Sequence, residues 1–296
     1  MRVDQYFVNF VNPASNVAIP GSGFRWGAYA QDEWRVADNL VATLGLRLDR
    51  NNIVGTTYSP RAALIWSASP ATTLKALYGR AHRAPNAFKR DYADVLAQVA
   101  NTTLTGESVD TLELVADHRI GSDLALRGSL YQWKMRNLIT LGIDSASGLA
   151  QYQSGERVTA RGLELSADKT WNAGARLRAR LSLQHAAQAN GAGLRNSPKI
   201  LGKVNLSTPL RFVGWRAGYE LHYDSQRLSV DGTRLGGFAV SNLHLSTEAL
   251  ARSLELSISV RNLLDKRYAH PAADTNWQNA LDQDGRSVQV KAVYHF

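Results

Sequence analysis

The chain has 296 residues, a formal net charge of +9 at pH 7, 44% hydrophobic residues and no cysteine. The lack of cysteine excludes disulfides and thiolate metal sites. No apolar run approaches the ~20 residues of a transmembrane helix, and the basic balance suits an anionic partner: lipid headgroups, lipopolysaccharide, nucleic acid or an anionic ligand.

Taken in order, Val3 to Val11 reads as a strand and Asn12 to Gly23, rich in Pro, Gly, Ser and Asn, as a loop. The opening MRVDQYFVNF holds no apolar stretch of a secretory signal, so an exported protein of this sequence is expected to begin upstream or to be a fragment here. Phe24 to Val36 is a strand carrying Phe24, Trp26, Tyr29 and Trp34, and it turns at Ala37–Asn39. Leu40, Ala42, Leu44, Leu46 and Leu48 then alternate with Thr43, Gly45, Arg47 and Asp49, a period of two that gives a strand one apolar and one polar face. Arg61 to Ser67 and Thr72 to Arg80 flank the turn Ala68–Pro70, and a long polar stretch follows from Arg83 to Glu107. Strands at Val109–Arg119 and Asp123–Thr140 join tightly at Gly121 and Ser122. The second alternates cleanly to Leu130 and loses its pattern at Gln132 and Lys134, through a bulge or because it leaves the apolar layer there. Leu149 to Lys169 is one strand, or two broken near Gly155. After the turn Trp171–Gly174, Leu177, Ala179, Leu181 and Leu183 oppose Arg176, Arg178, Arg180, Ser182 and Gln184. Further strands are expected near Lys199–Ser207, Trp215–Arg227, Phe238–Ser246, Leu254–Arg261 and Ser287–Phe296. None of these segments requires a helix.

The count comes to about fourteen strands, nearly all joined to the next in sequence. Their connections alternate in length. Short turns at Ala37–Asn39, Ala68–Pro70, Gly121–Ser122, Trp171–Gly174, Pro209–Arg211 and Ala249–Arg252 interleave with longer loops at Asn12–Gly23, Asn51–Thr57, Arg83–Glu107, Ile143–Gly148, Gln188–Ser197, Ser229–Gly236 and Asn262–Arg286. A soluble sandwich has no reason to keep its long loops at one end. A transmembrane β-barrel of the outer-membrane type does, with short periplasmic turns and long external loops. The last strand, apolar at Val288, Val290, Ala292, Tyr294 and Phe296, stops on an aromatic, as such barrels do. The expected class is therefore all-β, an antiparallel transmembrane barrel.

Several stretches resemble TonB-dependent outer-membrane receptors. Ala30-Gln31-Asp32-Glu33-Trp34 with Leu44-Gly45-Leu46-Arg47-Leu48-Asp49 is similar to that family's "QDEW … LGLRYD" hairpin. Tyr78-Gly79-Arg80-Ala81-His82-Arg83-Ala84-Pro85-Asn86 resembles "Y(S/G)R.FRAPN", with His82 for the common aromatic. Gly162-Leu163-Glu164-Leu165 resembles "G.E.E", and Arg261-Asn262-Leu263-Leu264-Asp265-Lys266-Arg267-Tyr268 resembles "V.NLFDK.Y". Asp284-Gly285-Arg286 before the final strand resembles the family's C-terminus. The resemblance implies a 22-stranded barrel around an N-terminal plug, of which residues 1–296 are the C-terminal portion of the barrel with no plug. It implies uptake of a scarce substrate such as a ferric siderophore, haem or cobalamin, driven by the TonB complex acting through the plug. Its implied setting is outer-membrane lipid and lipopolysaccharide, with Tyr294 and Phe296 as the signal read by the barrel-assembly machinery. A porin-like passive or structural barrel and a non-functional fragment are the alternatives.

Substrate contact is expected on the external loops, at Arg80, Arg83, Asn86, Tyr92 and Trp277, because loops on a rigid scaffold carry function. Trp26, Trp34, Trp66, Trp133, Trp171 and Trp215, near strand ends, read as an interfacial girdle. For Trp277, ligand contact and loop packing are both open. The inward faces carry Arg47, Arg176, Arg178, Arg180, Lys203, Arg261 and Lys291 against few acids, chiefly Asp49, Glu164, Asp168 and Glu255. Such charges need either water, which makes an anion-preferring pore, or carboxylates on the implied plug. Seven histidines are scattered without the spacing of a metal site. No cofactor or resident metal is expected. No nucleophile motif or Gly-rich phosphate loop suggests an enzyme, and the dispersed basic residues do not suggest nucleic-acid binding.

Overall fold

The computed structural model describes residues 3–6, 22–211, 214–247, 253–273 and 276–295. Its strands are β1 (Val3–Tyr6), β2 (Ser22–Ala37), β3 (Leu40–Asn51), β4 (Gly55–Ser69), β5 (Thr72–Arg83), β6 (Glu107–Ile120), β7 (Leu124–Ile143), β8 (Ala150–Thr170) and β9 (Arg176–Gln188). They continue with β10 (Ile200–Pro209), β11 (Trp215–Asp224), β12 (Arg227–Leu228), β13 (Arg234–Leu235), β14 (Phe238–Thr247), β15 (Leu254–Arg261), β16 (Ala269–Pro271), β17 (Ala280–Asp282) and β18 (Ser287–Tyr294). Fourteen of them form one antiparallel sheet in the order β1-β2-β3-β4-β5-β6-β7-β8-β9-β10-β11-β14-β15-β18, with every neighbour also the next main strand in sequence. The pairs β12–β13 and β16–β17 are small ribbons inside two long loops. Among the described residues β1 and β18 are the two edges, and they do not pair with each other.

The expected loop asymmetry is present. Most long connections lie at one end of the sheet and short turns at the other, as between β2 and β3 or β8 and β9. The expected loop Asn51–Thr57 is a correction: β3 and β4 stay paired up to Asn51↔Gly55, so the chain turns there in three residues, with Asn51 Oδ1 accepting from the Ile53 and Val54 amides. Most of the expected strand before Asn12, the loop Asn12–Gly23, the turn Ala249–Arg252 and Phe296 fall largely or wholly outside the described residues.

Register carries the two faces across the sheet. Leu44, Leu46, Leu114, Leu130, Leu181, Val288 and Val290 are exposed on the apolar face, too much apolar area for a water-facing surface. The opposite face is polar and cross-linked: Lys75 Nζ lies 2.9 Å and Arg127 Nε 2.5 Å from Asp117, and Ser129 donates to Glu113 at 2.6 Å. Trp133 corrects the girdle expectation. It shares the parity of Ser129 and Tyr131, pairs with Thr111 and Ala160, and stacks on Tyr131 at 4.8 Å. It therefore sits on the polar face, whereas Trp34 and Trp66 lie among apolar partners beside the short turns.

The lost alternation in β7 has its second explanation. Pairing stays regular through Gln132↔Arg161 and Lys134↔Thr159, and the ladder becomes irregular only between Met135 and Ile139, at Asn137 with φ 54°. β7 and β8 run for 20 and 21 residues, while ~9–11 suffice to cross a bilayer. Their outer halves rise above the apolar layer, so polar residues there need no bulge. Gly155 does not divide β8; it adopts φ 133° inside the strand. Gly162 explains its own motif: a Cβ there would meet the Tyr131 ring at 2.5 Å.

Candidate functional site

The long-loop end of the polar face holds two organised regions. The first begins with register: β11 and β14 place Asp224 opposite Phe238 and His222 opposite Val240. Asp224 is buried and accepts from the equally buried Arg227 guanidinium and from His222 Nε2 at 2.8 Å. The Arg227 guanidinium lies 5.4 Å from the Phe238 ring centre. Tyr268 and His270, from the last loop, pack on that ring at 4.2 and 5.5 Å. Burial, and next the Arg227 charge, hold the His270 imidazole below its ordinary pKa. A cation–π contact, a buried ion pair and an aromatic cluster thus share one ring.

Three external loops meet at this point. Asn196 donates its amide to the Leu228 carbonyl at 2.9 Å, β12–β13 carries Arg227, and Tyr268 and His270 come from the third loop. Asp231 accepts from Ser229 and Thr233, which draw its carboxyl down to about 2, and its other oxygen accepts from Asn279 Nδ2 at 2.7 Å. The base of the third loop is closed by the Asn262–Asp265 motif. Asn262 and Asp265 both adopt left-handed backbone (φ 50° and 53°), which Asn and Asp tolerate better than most residues. Asn262 Oδ1 accepts from the Lys266 amide at 2.8 Å and its Nδ2 donates to the Asp284 carbonyl at 3.2 Å. Asp265 Oδ1 accepts from the Arg286 amide at 2.7 Å, and a Cβ on Gly285 would meet that oxygen at 2.8 Å. Asp284-Gly285-Arg286 is the partner segment of the Asn262 motif. Trp277 stands 90% exposed between β16 and β17.

The second region surrounds the 84–106 loop. Contrary to expectation, it contains a short helix, α1 (Ala87–Asp91), capped by Asn86, whose Oδ1 accepts from the Lys89 amide at 2.9 Å. Tyr92 stacks on Phe88 at 4.8 Å, and Phe88 meets Tyr152 of β8 at 6.2 Å. Asn101 Nδ2 donates to the Tyr152 carbonyl at 2.8 Å, and the Val99 amide to Ala150 at 2.9 Å, fixing the loop to the raised tip of β8. Arg83, expected at the start of the loop, is a correction of place, while Arg80 keeps the strand-end position expected for it. Arg83 lies in β5 and pairs with buried Glu107, which also accepts from the Ile139 amide. Arg80 lies in β5 on the apolar-face parity, and its Nε is 2.6 Å from Asp110. Alternation runs through both residues, so the strand continues three residues past the point where polarity suggested a loop. Asn86 and Tyr92 stay in the loop; Trp277 belongs to a different region.

The basic row of the polar face is less uniform than its sequence suggests. Arg47 lies 2.6 Å from Asp49, Arg178 3.4 Å from Asp168, and Lys203 3.8 Å from Glu220. Arg261 donates to Gln289 at 3.4 Å. Among the described residues Arg176, Arg180 and Lys291 have no such partner. Cross-strand carboxylates, Glu220 above all, were missed because register alone brings them opposite. The histidines are not all isolated: His222 and His270 share the Phe238 cluster. Among the described residues no group of His, Asp or Glu could hold a metal ion.

Residues 3–263 match the family model described as TonB dependent receptor-like, beta-barrel. The iron-regulated outer membrane virulence protein of Vibrio cholerae is 29% identical over 126 residues, 40% of this chain and 19% of that protein. The vitamin B12 transporter BtuB of the same species is 26% identical over 258 residues, 82% of this chain and 39% of the relative. The ferric enterobactin receptor of Pseudomonas aeruginosa is 23% identical over 90% of this chain and 42% of its own length. In fold, the chain matches the siderophore receptor PirA from Acinetobacter baumannii with a TM-score of 0.76 at 14% identity, covering 93% of this chain and 46% of that one. It matches the FrpB iron transporter from Neisseria meningitidis at 0.72 and 16% identity, covering 95% and 46%. The chain thus spans less than half the length of these relatives. With its exposed apolar face, its one-ended long loops and its register-closed motifs, it belongs to the TonB-dependent receptor β-barrel family of the outer membrane.

Proposed function

We propose that residues 1–296 form the C-terminal portion of the barrel of a receptor that takes up a scarce substrate, such as a ferric siderophore, haem or cobalamin, with energy delivered by the TonB complex through a plug domain. The observation that carries this reading is the convergence of three external loops on the Asp224–Arg227–Phe238 cluster, which fixes the outer mouth of the polar face. A passive pore has no need of loops tied to one another. The polar face lines the lumen, and Arg176, Arg180 and Lys291 find carboxylates on the plug. Asn86, Tyr92 and Trp277 are the substrate contacts; Arg83 and Arg80, held by their own acids, position strand ends. Transport, not catalysis, is the activity. The outer edge strands β1 and β18 support further strands completing the barrel, and Tyr294 and Phe296 serve barrel assembly.

The test is uptake by cells expressing the whole receptor under iron or cobalamin limitation, with and without a working TonB system. The proposal expects uptake that vanishes without TonB and falls on alanine replacement of Asn86, Tyr92 and Trp277 together. Uptake indifferent to TonB would support a passive barrel instead.

A further inference from the structure

The raised hairpin of β7 and β8 has one closed flank and one open one. The Asp144 amide donates to the Leu149 carbonyl at 2.9 Å and closes the hairpin. Hydrogen bonding in an antiparallel ladder alternates along each strand. Thr140 and Gly142 therefore bond to β8, while the backbone groups of Ile139, Leu141 and Ile143 point away from it, above the end of β6. The β8 flank is closed by the 84–106 loop. Val99 donates to the Ala150 carbonyl at 2.9 Å, Ala150 to Ala97 at 3.2 Å, and Asn101 Nδ2 to Tyr152 at 2.8 Å. The β7 flank has no such cover, because β6 stops pairing with it at Ser108↔Arg136.

Side chains satisfy only the two ends of that open flank. Glu107 Oε1 accepts from the Ile139 amide at 3.0 Å. Gln153 Nε2 reaches across Gly142, where a Cβ would meet its Oε1 at 2.9 Å, and donates to the Ile143 carbonyl at 3.1 Å. Four groups are left without a partner among the described residues: the Ile139 carbonyl, the Leu141 amide and carbonyl, and the Ile143 amide. They recur at every second residue, about 7 Å apart, and Leu141 and Ile143 are 47% and 65% exposed. An unpaired apolar strand edge is a template for another strand.

We propose that this edge binds an extended peptide segment of a partner protein, added antiparallel to β7 in line with β6. Its central residue exchanges two hydrogen bonds with Leu141. The residue two before it accepts from the Ile143 amide, and the residue two after it donates to the Ile139 carbonyl. These three residues share the face of Ile139, Leu141 and Ile143 and are apolar. Charge sets the two ends of the segment. At the lower end Arg80 Nε and Arg136 Nη1 each lie 2.6 Å from the one carboxylate of Asp110, which leaves a net positive charge. At the upper end Asp144 is the only charged residue of 143–149. The segment is accordingly basic before its apolar run and acidic after it. This docking needs neither a plug nor a transported substrate.

The experiment titrates the whole receptor in detergent into a fluorescent peptide, Lys-Val-Thr-Val-Thr-Val-Glu, and reads anisotropy. Wild type should bind it saturably. N-methylation of the central and last valines, whose amides face the edge, should weaken binding about thirtyfold, two hydrogen bonds' worth. N-methylation of the two threonines, whose amides face away, should change little, and exchanging the terminal Lys and Glu should weaken binding severalfold. Leu141→Pro removes the amide at the centre of the edge without touching a β7–β8 bond, so the hairpin is kept and peptide binding is lost. Should that variant fail to fold, the methylated peptides on wild type decide. No saturable binding to wild type, equal binding of the two methylated peptides, indifference to the charge exchange, or unchanged binding by folded Leu141→Pro would overturn the proposal.

Discussion

The two halves of the sheet build their external ends differently. Around β7 and β8 the backbone ladder itself continues upward, to 20 and 21 residues, and the 84–106 loop is hung on it by main-chain hydrogen bonds. Around β11, β14 and β15 the strands have 10, 10 and 8 residues, and the chain above them is held by side chains meeting at Phe238. A ladder spreads its support over many equivalent bonds, so one side-chain change is diluted. A side-chain cluster concentrates support in a few buried groups, so one change releases several loops at once. The second design is the one suited to an element that must respond to a ligand or a plug.

The largest expected break of this contrast is Asp224→Ala. It leaves the Arg227 cation buried without its carboxylate, a loss of about 3–5 kcal/mol for a broken buried pair. Limited proteolysis should then cut within the 225–237 and 262–286 loops while the β7–β8 tip stays resistant; cutting at both ends alike would refute the contrast. Next comes Gly162→Val, which drives a side chain into the Tyr131 ring. It should cost about 1–3 kcal/mol as overpacking, read as a lower melting temperature in detergent with no new cleavage in the Phe238 loops. The smallest effect is acid loosening of the third loop. His270 is held below its ordinary value, so between that lowered value and 6.5 the unfolded loop binds more protons than the folded one. Stability contributed there is complete above 6.5 and declines as pH falls below it. Amide protection in the described part of the 268–282 loop, corrected for the intrinsic pH dependence of exchange, should fall from pH 7.5 to 5.5, and His270→Phe should flatten that response.

Much of the fold could be read before the structure because a barrel strand writes its two faces in every second residue. Leu40 to Asp49 and Arg176 to Gln184 announce their faces without help from any neighbour. Loop polarity likewise placed the membrane's two sides. What stayed hidden depended on register. Nothing local shows that Lys203 faces Glu220, or that His270 reaches His222 across 48 positions of chain; the face of Trp133, by contrast, follows from its parity with Ser129 and Tyr131 on β7. The misplacement of Arg83 has a different root: a charged strand end above the apolar layer has the composition of a loop. The Asn262 and Asp284-Gly285-Arg286 motifs were visible as patterns, while their being two halves of one hydrogen-bonded closure was not.

The central claim is that this sheet is a share of a larger, plugged barrel whose unpartnered lumen cations need the rest of the receptor. Refolding residues 1–296 alone in detergent, followed by gel mobility with and without heating and by single-channel recording, tests it most directly. The account predicts no heat-resistant folded band and no discrete conductance, both regained in a salt-sensitive way when an N-terminal part bearing the plug and remaining strands is supplied. A heat-resistant barrel with anion-selective channels formed by this chain alone would contradict it.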